Sequence, residues 1–206
     1  MEKFTRLTAV AAPLLQRNVD TDVIIRIERL ITLDRKELGP HAFAPLRYRA
    51  DGSENPDFVL NRPPYRDAKI LIAGENFGCG SSREGAVWAL WGMGLRSVIA
   101  PSFGDIFFNN CFQNGLLPIV LEAATVERLA KLVEAAPGTP LTVDLDASVI
   151  QTPAGERIPF AVDPGRRAAL LAGLDEIGQT LQRDGEIADF QACDRQSRPW
   201  IYDLPR

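Results

Sequence analysis

Histidine is nearly absent: His41 is the only one in 206 residues. A Ser-His-Asp relay or a multi-histidine metal site would have to use that single imidazole, which excludes most such machinery within this chain. Cysteine is scarce too. Cys79, Cys111 and Cys193 are odd in number and widely spaced. They make a poor disulfide framework and lack the C-x2-C pairing of a zinc site or of most iron–sulfur sites. There is no basic excess. Lysine and arginine number 23 against 27 aspartate and glutamate, a formal charge of −4, so nothing electrostatic points to nucleic acid. No apolar run reaches the roughly 20 residues that span a bilayer. The opening MEKFTRLTAVAAPLL lacks the apolar centre and small-residue cleavage site of a signal peptide. These absences lead us to expect a cytoplasmic protein with no membrane or nucleic-acid partner. What remains is 46% hydrophobic and 24% charged, enough to bury the core of one ordinary domain.

Along the chain, LTAVAAPLL reads as a strand, broken by the turn and cap formers of Asn18-Val19-Asp20-Thr21-Asp22. Val23-Ile24-Ile25 reads as a short buried strand or the entry to a turn. Residues 30–65 have little periodicity and much Pro, Gly, Asp and Asn, a structureless excursion expected to be functional or flexible. Order then returns as strands at 69–73, 97–100 and 117–121, alternating with helices at 83–91, 105–112 and 125–135. Thr125 is read as the cap of the last helix. That alternation predicts a parallel α/β layer. Segments 141–145 and 157–162 read as a hairpin about a Pro-Ala-Gly turn at 153–155. Helices at about 164–173 and 184–192, with a turn or short helix at 174–178, close a single domain over 1–195. A tail over 196–206 carries Trp200 and Tyr202, to dock on the body or on a partner.

The chemistry-bearing stretch is Gly78-Cys79-Gly80-Ser81-Ser82-Arg83-Glu84. Ser81 and Glu84 have the Ser-x-x-Glu spacing of a capping box, which satisfies free N–H groups at a helix start. A strand, a glycine-rich turn and a helix N-terminus also form an anion site. The G-x-G-x-x-G spacing and the Walker lysine are missing, so a nucleotide is poorly supported. Three features point past capping. Gly78 and Gly80 let the backbone approach a ligand closely. Arg83 stands in the first turn, where a cation opposes the helix dipole unless an anion joins it, and a guanidinium forks onto a carboxylate. A serine beside N–H donors and an arginine could be held as an alkoxide without a histidine.

"NVDTDVII", "ENFGCGSSRE", "APSFGDIFFNNCFQNGLLPI" and "GLDEIGQTLQ" together resemble the small subunits of 3-isopropylmalate dehydratase, in the aconitase superfamily. The resemblance runs in order through nearly the whole chain. It implies a swivelling β/β/α domain of the aconitase C-terminal type, closing over a large subunit that carries a [4Fe–4S] cluster. The implied reaction is the interconversion of 2- and 3-isopropylmalate through isopropylmaleate, in leucine biosynthesis. By motif, Ser81 is the catalytic base, Arg83 grips a carboxylate of the dicarboxylate substrate, and Ser82 is a hydrogen-bond partner of it. No cofactor or metal is expected in this chain itself.

Two positions depart from the family pattern. The motif ordinarily continues with histidine, where this chain has Gly85. The segment after "DTDVII" ordinarily has proline and an aromatic-Leu pair, where this chain has Arg26-Ile27-Glu28-Arg29-Leu30. Arg26 and Arg29, with His41, are therefore candidate pocket or specificity residues, His41 otherwise being an ordinary loop histidine. The departures keep two alternatives open: a paralogous dehydratase for a smaller diacid of the 2-methylmalate type, or a partner-binding subunit without turnover. A self-sufficient serine hydrolase is disfavoured, because the serine has no adjacent base.

Overall fold

The computed structural model describes residues 1–80 and 83–202; Ser81, Ser82 and residues 203–206 lie outside the described residues. The strands are β1 (Arg6–Leu14), β2 (Ile70–Ala73), β3 (Ser97–Ala100), β4 (Leu117–Val120), β5 (Pro140–Asp144), β6 (Val149–Gln151) and β7 (Arg157–Pro159). They form one sheet in the order β4-β3-β2-β1-β5-β6-β7. The long strand β1 serves both halves. Ala11–Leu14 pairs in parallel with β2, continuing into β3 and β4, while Arg6–Val10 pairs antiparallel with β5. The expected parallel layer is therefore one half of a mixed sheet.

Short apolar runs become strands here because both faces are covered, the usual condition of parallel strands. Side chains alternate between the faces. Leu71, Ala73, Val98 and Ala100 face one core, and Ile70, Ile72 and Ile99 face the other. The first core is closed by helices α1 (Thr21–Ile24), α2 (Ile27–Thr32), α3 (Ala44–Arg47) and α4 (Glu84–Gly92). Helix α5 (Asp105–Gln113) sends Phe107 and Cys111 into it and Phe112 into the second core. Helices α6 (Ala123–Ala135) and α7 (Pro164–Ala172) close the second core.

Of the two readings of Val23-Ile24-Ile25, strand or entry to a turn, the turn holds: residues 21–24 are a helical turn, because Asp20 accepts a hydrogen bond from the Val23 amide at 2.7 Å and caps it. Three expectations are corrected. The hairpin is a meander: β6 was missed, and it pairs with both β5 and β7. Helix α6 starts at Ala123 rather than at Thr125, with Glu122 in the capping position. Residues 30–65 are not structureless. They fold as short helical turns that bury Leu38, Ala42, Phe43, Val59 and Leu60 in the first core.

The chain ends in α8 (Glu176–Leu181) and α9 (Asp184–Ser197). The described part of the tail folds back on α9, where the Tyr202 hydroxyl donates to Asp194 Oδ2 at 2.8 Å. Among the described residues no helix is long and apolar enough to cross a membrane.

Candidate functional site

Three sequence motifs meet at the C-terminal ends of the parallel strands, where open α/β sheets place their ligands. The turn after β1 pairs with the glycine loop after β2: the Thr21 amide donates to Cys79 O at 3.0 Å and the Gly78 amide to Val19 O at 2.7 Å. On its other side the loop is held by the turn after β3, with the Phe77 amide donating to Ser102 O and the Gly104 amide to Phe77 O. Gly78 has φ +71°, and a Cβ there would run into the Phe107 ring, so only glycine lets α5 pack this close. Phe77, Phe103, Phe107, Phe108 and Phe112 stack in succession beneath. The glycine loop over 77–79 is thus clamped from both sides.

Helix α4 begins at Glu84, with Arg83 in the capping position and no side-chain cap. The expected capping box falls on Ser81, which lies outside the described residues; the Glu84 carboxylate accepts from Asn114 Nδ2 at 2.7 Å. Sequence reading took Asn114 for a simple helix end. It is a nearly buried hub whose Oδ1 accepts from Trp88 Nε1 and from Arg35, each at 2.9 Å, and whose Nδ2 also donates to Asn110 O.

Arg83 is paired with Asp22, from the turn after β1. The anion that its position demands is thus supplied by the chain itself. Asp22 is more than half exposed, and such ion pairs are worth about 0–1 kcal/mol.

Arg26, Arg29 and His41 do come together. They line a cavity of about 590 Å³ with Arg49, Tyr48 and Pro45. A neighbouring groove shares Arg26 and Pro45 with it and reaches Asp22. Burial lowers the His41 pKa below its usual value and the adjacent Arg29 charge adds to this. The three residues therefore stand one groove away from Arg83.

Comparisons with known proteins identify the family. The aconitase C-terminal domain family model matches residues 1–124 and LeuD_N matches 127–164. The model for the C-terminal domain of 3-isopropylmalate dehydratase small subunits matches 176–203. Relatives named 3-isopropylmalate dehydratase small subunit, from Gluconobacter oxydans and Paramagnetospirillum magneticum, are each 56% identical over 201 residues. The alignments cover 98% of this chain and 96% and 100% of theirs. A crystal structure of 3-isopropylmalate dehydratase from Methanocaldococcus jannaschii superposes with a TM-score of 0.65 at 28% identity, over 89% of this chain and 98% of that one. The chain belongs to the 3-isopropylmalate dehydratase small-subunit family. Its fold is accordingly the α/β architecture of the aconitase C-terminal domain.

Gly85 and the segment over 26–30, the two departures expected from the sequence, touch in the fold. A Cβ on Gly85 would overlap the Leu30 side chain, standing 2.9 Å from Leu30 Cδ1. Leu30 therefore fills the space that a larger residue 85 would need. The cysteines do not fit an iron–sulfur cluster: Cys111 is buried in α5, Cys193 is exposed on α9, and Cys79 sits in the glycine loop. Among the described residues no group of three or more His, Cys, Asp or Glu is placed to hold a metal.

Proposed function

We propose that this chain is the small subunit of a cytoplasmic 3-isopropylmalate dehydratase, isomerising 2- and 3-isopropylmalate through isopropylmaleate in leucine biosynthesis, and active only with a large subunit. The observation that carries the reading is Arg83, at the start of α4 beside the clamped loop and paired, among the described residues, with a half-exposed, replaceable carboxylate. A diacid supplies the anion that this position calls for. Ser81, as its alkoxide, takes the proton from the carbon beside a carboxylate, while Arg83 holds that carboxylate and steadies the charge that develops on it. Ser82 hydrogen-bonds the substrate. As the proton leaves, the hydroxyl leaves the neighbouring carbon; in the return step Ser81 delivers a proton to the carbon that lost the hydroxyl, while the hydroxide of water adds at the carbon that lost the proton. A [4Fe–4S] cluster held by the large subunit would supply Lewis-acid chemistry at the substrate's hydroxyl and a carboxylate. Motion of the segment over 30–65 belongs to its solvent face in this reading, because its apolar side chains are in the core.

Reconstitution with the large subunit tests these roles. Ser81→Ala should abolish turnover with subunit affinity intact. Arg83→Lys should lower kcat/KM by roughly 30- to 100-fold, because a point charge cannot reproduce the bidentate fork. Unchanged turnover in either variant would remove that residue from the mechanism. A second reading, a diacid of the 2-methylmalate type, draws support from the Gly85–Leu30 contact, which reshapes the first turn of α4 behind Arg83.

A further inference from the structure

The first turn of α4 has Arg83 at its head and no side-chain cap to hold it there. What holds it lies one residue on. The Glu84 carboxylate accepts from Asn114 Nδ2 at 2.7 Å. Trp88, four residues along and so on the same face of the helix, donates from Nε1 to Asn114 Oδ1 at 2.9 Å. Asn114 closes α5, where its backbone amide donates to Cys111 O. It is only 5% exposed, so any influence it has on a bound molecule passes through the residues it holds.

The orientation of this amide is determined. A side-chain amide offers two donor hydrogens and two acceptor lone pairs. All four are used, the other two by Arg35, which donates to Oδ1 at 2.9 Å, and by Asn110 O, which accepts from Nδ2 at 2.9 Å. Turning the amide over would set oxygen against the Glu84 carboxylate and the Asn110 carbonyl, and N–H against N–H at Trp88 and Arg35. The amide dipole lies between a guanidinium and a carboxylate, so one bond at each end is charge-assisted and stronger than a neutral one. Arg35 also stands over the Trp88 ring, 5.1 Å from its centre. It comes from the short turn Arg35–Glu37, within the segment over 30–65. Three separate parts of the chain thus meet on one amide, and that amide grips the turn next to Arg83.

We infer that Asn114 is a positioning residue for the dehydratase reaction: by holding Glu84 and Trp88 it sets the first turn of α4 and, through that turn, the direction of the Arg83 guanidinium. This rests on the small-subunit reading above. Among the described residues Glu84 forms no ion pair, so its carboxylate is committed to Asn114 and Arg83 keeps its fork for Asp22 and for a substrate carboxylate. A bidentate fork is sensitive to aim, and misplacing such a group by about 1 Å can cost on the order of 100-fold in rate. Glu84 takes no part in proton transfer; it is the acceptor through which the aim is held.

Kinetics of the complex assembled anaerobically with the large subunit test it, with kcat counted per assembled complex by sedimentation. Asn114→Asp keeps the oxygen that faces Trp88 and Arg35 and puts a second oxygen where a donor faces Glu84 and Asn110. It should lower kcat/KM for 3-isopropylmalate at least about ten-fold. Adding Glu84→Gln returns a donor from the opposite side and should recover at least about three-fold of that loss. Placed on Arg83→Lys, Asn114→Asp should cost less than about three-fold more, because there is no longer a fork to aim; a purely structural loss would multiply in full. If Asn114→Asp fails to assemble, Glu84→Ala removes the same bond from the helix side and should lower kcat/KM alike. Glu84→Gln, which keeps an acceptor oxygen, should then retain at least about a third of it. A kcat/KM within three-fold of the unmodified complex for Asn114→Asp, or for Glu84→Ala in its place, would overturn the inference and leave the small-subunit reading standing. So would a loss that multiplies in full on Arg83→Lys. An unmodified complex without turnover of 3-isopropylmalate or 2-methylmalate would overturn the small-subunit reading itself, and this inference with it.

Discussion

Gly85 and Leu30 show how one position is decided by magnitudes rather than by propensity. Glycine in a helix interior is ordinarily about 0.5–1 kcal/mol worse than alanine, so Gly85→Ala should stabilise on local grounds. The Leu30 side chain already occupies the space a Cβ would need, and overpacking of a filled site costs about 1–3 kcal/mol. The clash should prevail: Gly85→Ala lowers the urea midpoint, and Leu30→Ala added to it restores part of the loss, the coupling expected of residues in contact. A midpoint raised by Gly85→Ala alone would show that Leu30 moves aside freely. Asn114 is decided by its four side-chain hydrogen bonds. Asn114→Leu strands the half-buried Trp88 N–H and leaves the Glu84 carboxylate without its donor, so a loss of about 1–3 kcal/mol is expected in the same measurement.

At the scale of elements, the regular units were legible and the irregular ones were not. The runs at 70–73, 97–100 and 117–120 are short, apolar and bounded by Gly or Pro, and they became β2, β3 and β4. The motif helix was placed to within a residue, because Gly78 and Gly80 precede it and Gly94 follows it. By contrast, Val23-Ile24 could be read as strand or as turn, because its β-branched residues compete with the cap that Asp20 provides. Strand β6, three residues long, is too short for alternation to register, and only its pairing with β5 and β7 defines it. The excursion over 30–65 carries its apolar residues at no single period, since each short turn buries one or two of them against a different part of the core. Of the site, Arg83 was legible by motif and by its misplaced charge, whereas its partner Asp22 and the hub Asn114 are long-range contacts that no spacing reveals.

At the scale of the whole molecule, two helices and a tail stand apart from the double core. Helix α9 buries only Asp194, and the described tail is held by that carboxylate through Arg198 and the Tyr202 hydroxyl. The hydrogen bond from Tyr202, with Arg198 beside it, lowers the Asp194 pKa below its ordinary 3.8, and the same bond raises that of Tyr202 above 10.0. The depressed carboxylate contributes fully above its ordinary value and is lost as pH falls through the folded-state value. The phenol contributes fully below 10.0 and is lost as pH rises through its raised value. Trp200 fluorescence should therefore stay constant from about pH 5 to 9 and change at both extremes. A transition near neutrality would mean that another group holds the tail.

The central claim concerns the molecule as half of an enzyme, and its most direct test is a substrate comparison. The chain would be purified anaerobically with its large subunit, and the absorbance of the unsaturated diacid followed with 3-isopropylmalate and with 2-methylmalate. The account predicts a higher kcat/KM for 3-isopropylmalate, with Gly85 and Leu30 a size-matched exchange that leaves the pocket's purpose unchanged. A higher kcat/KM for 2-methylmalate would contradict it, and would mean that the same pair has reshaped the site for a smaller diacid.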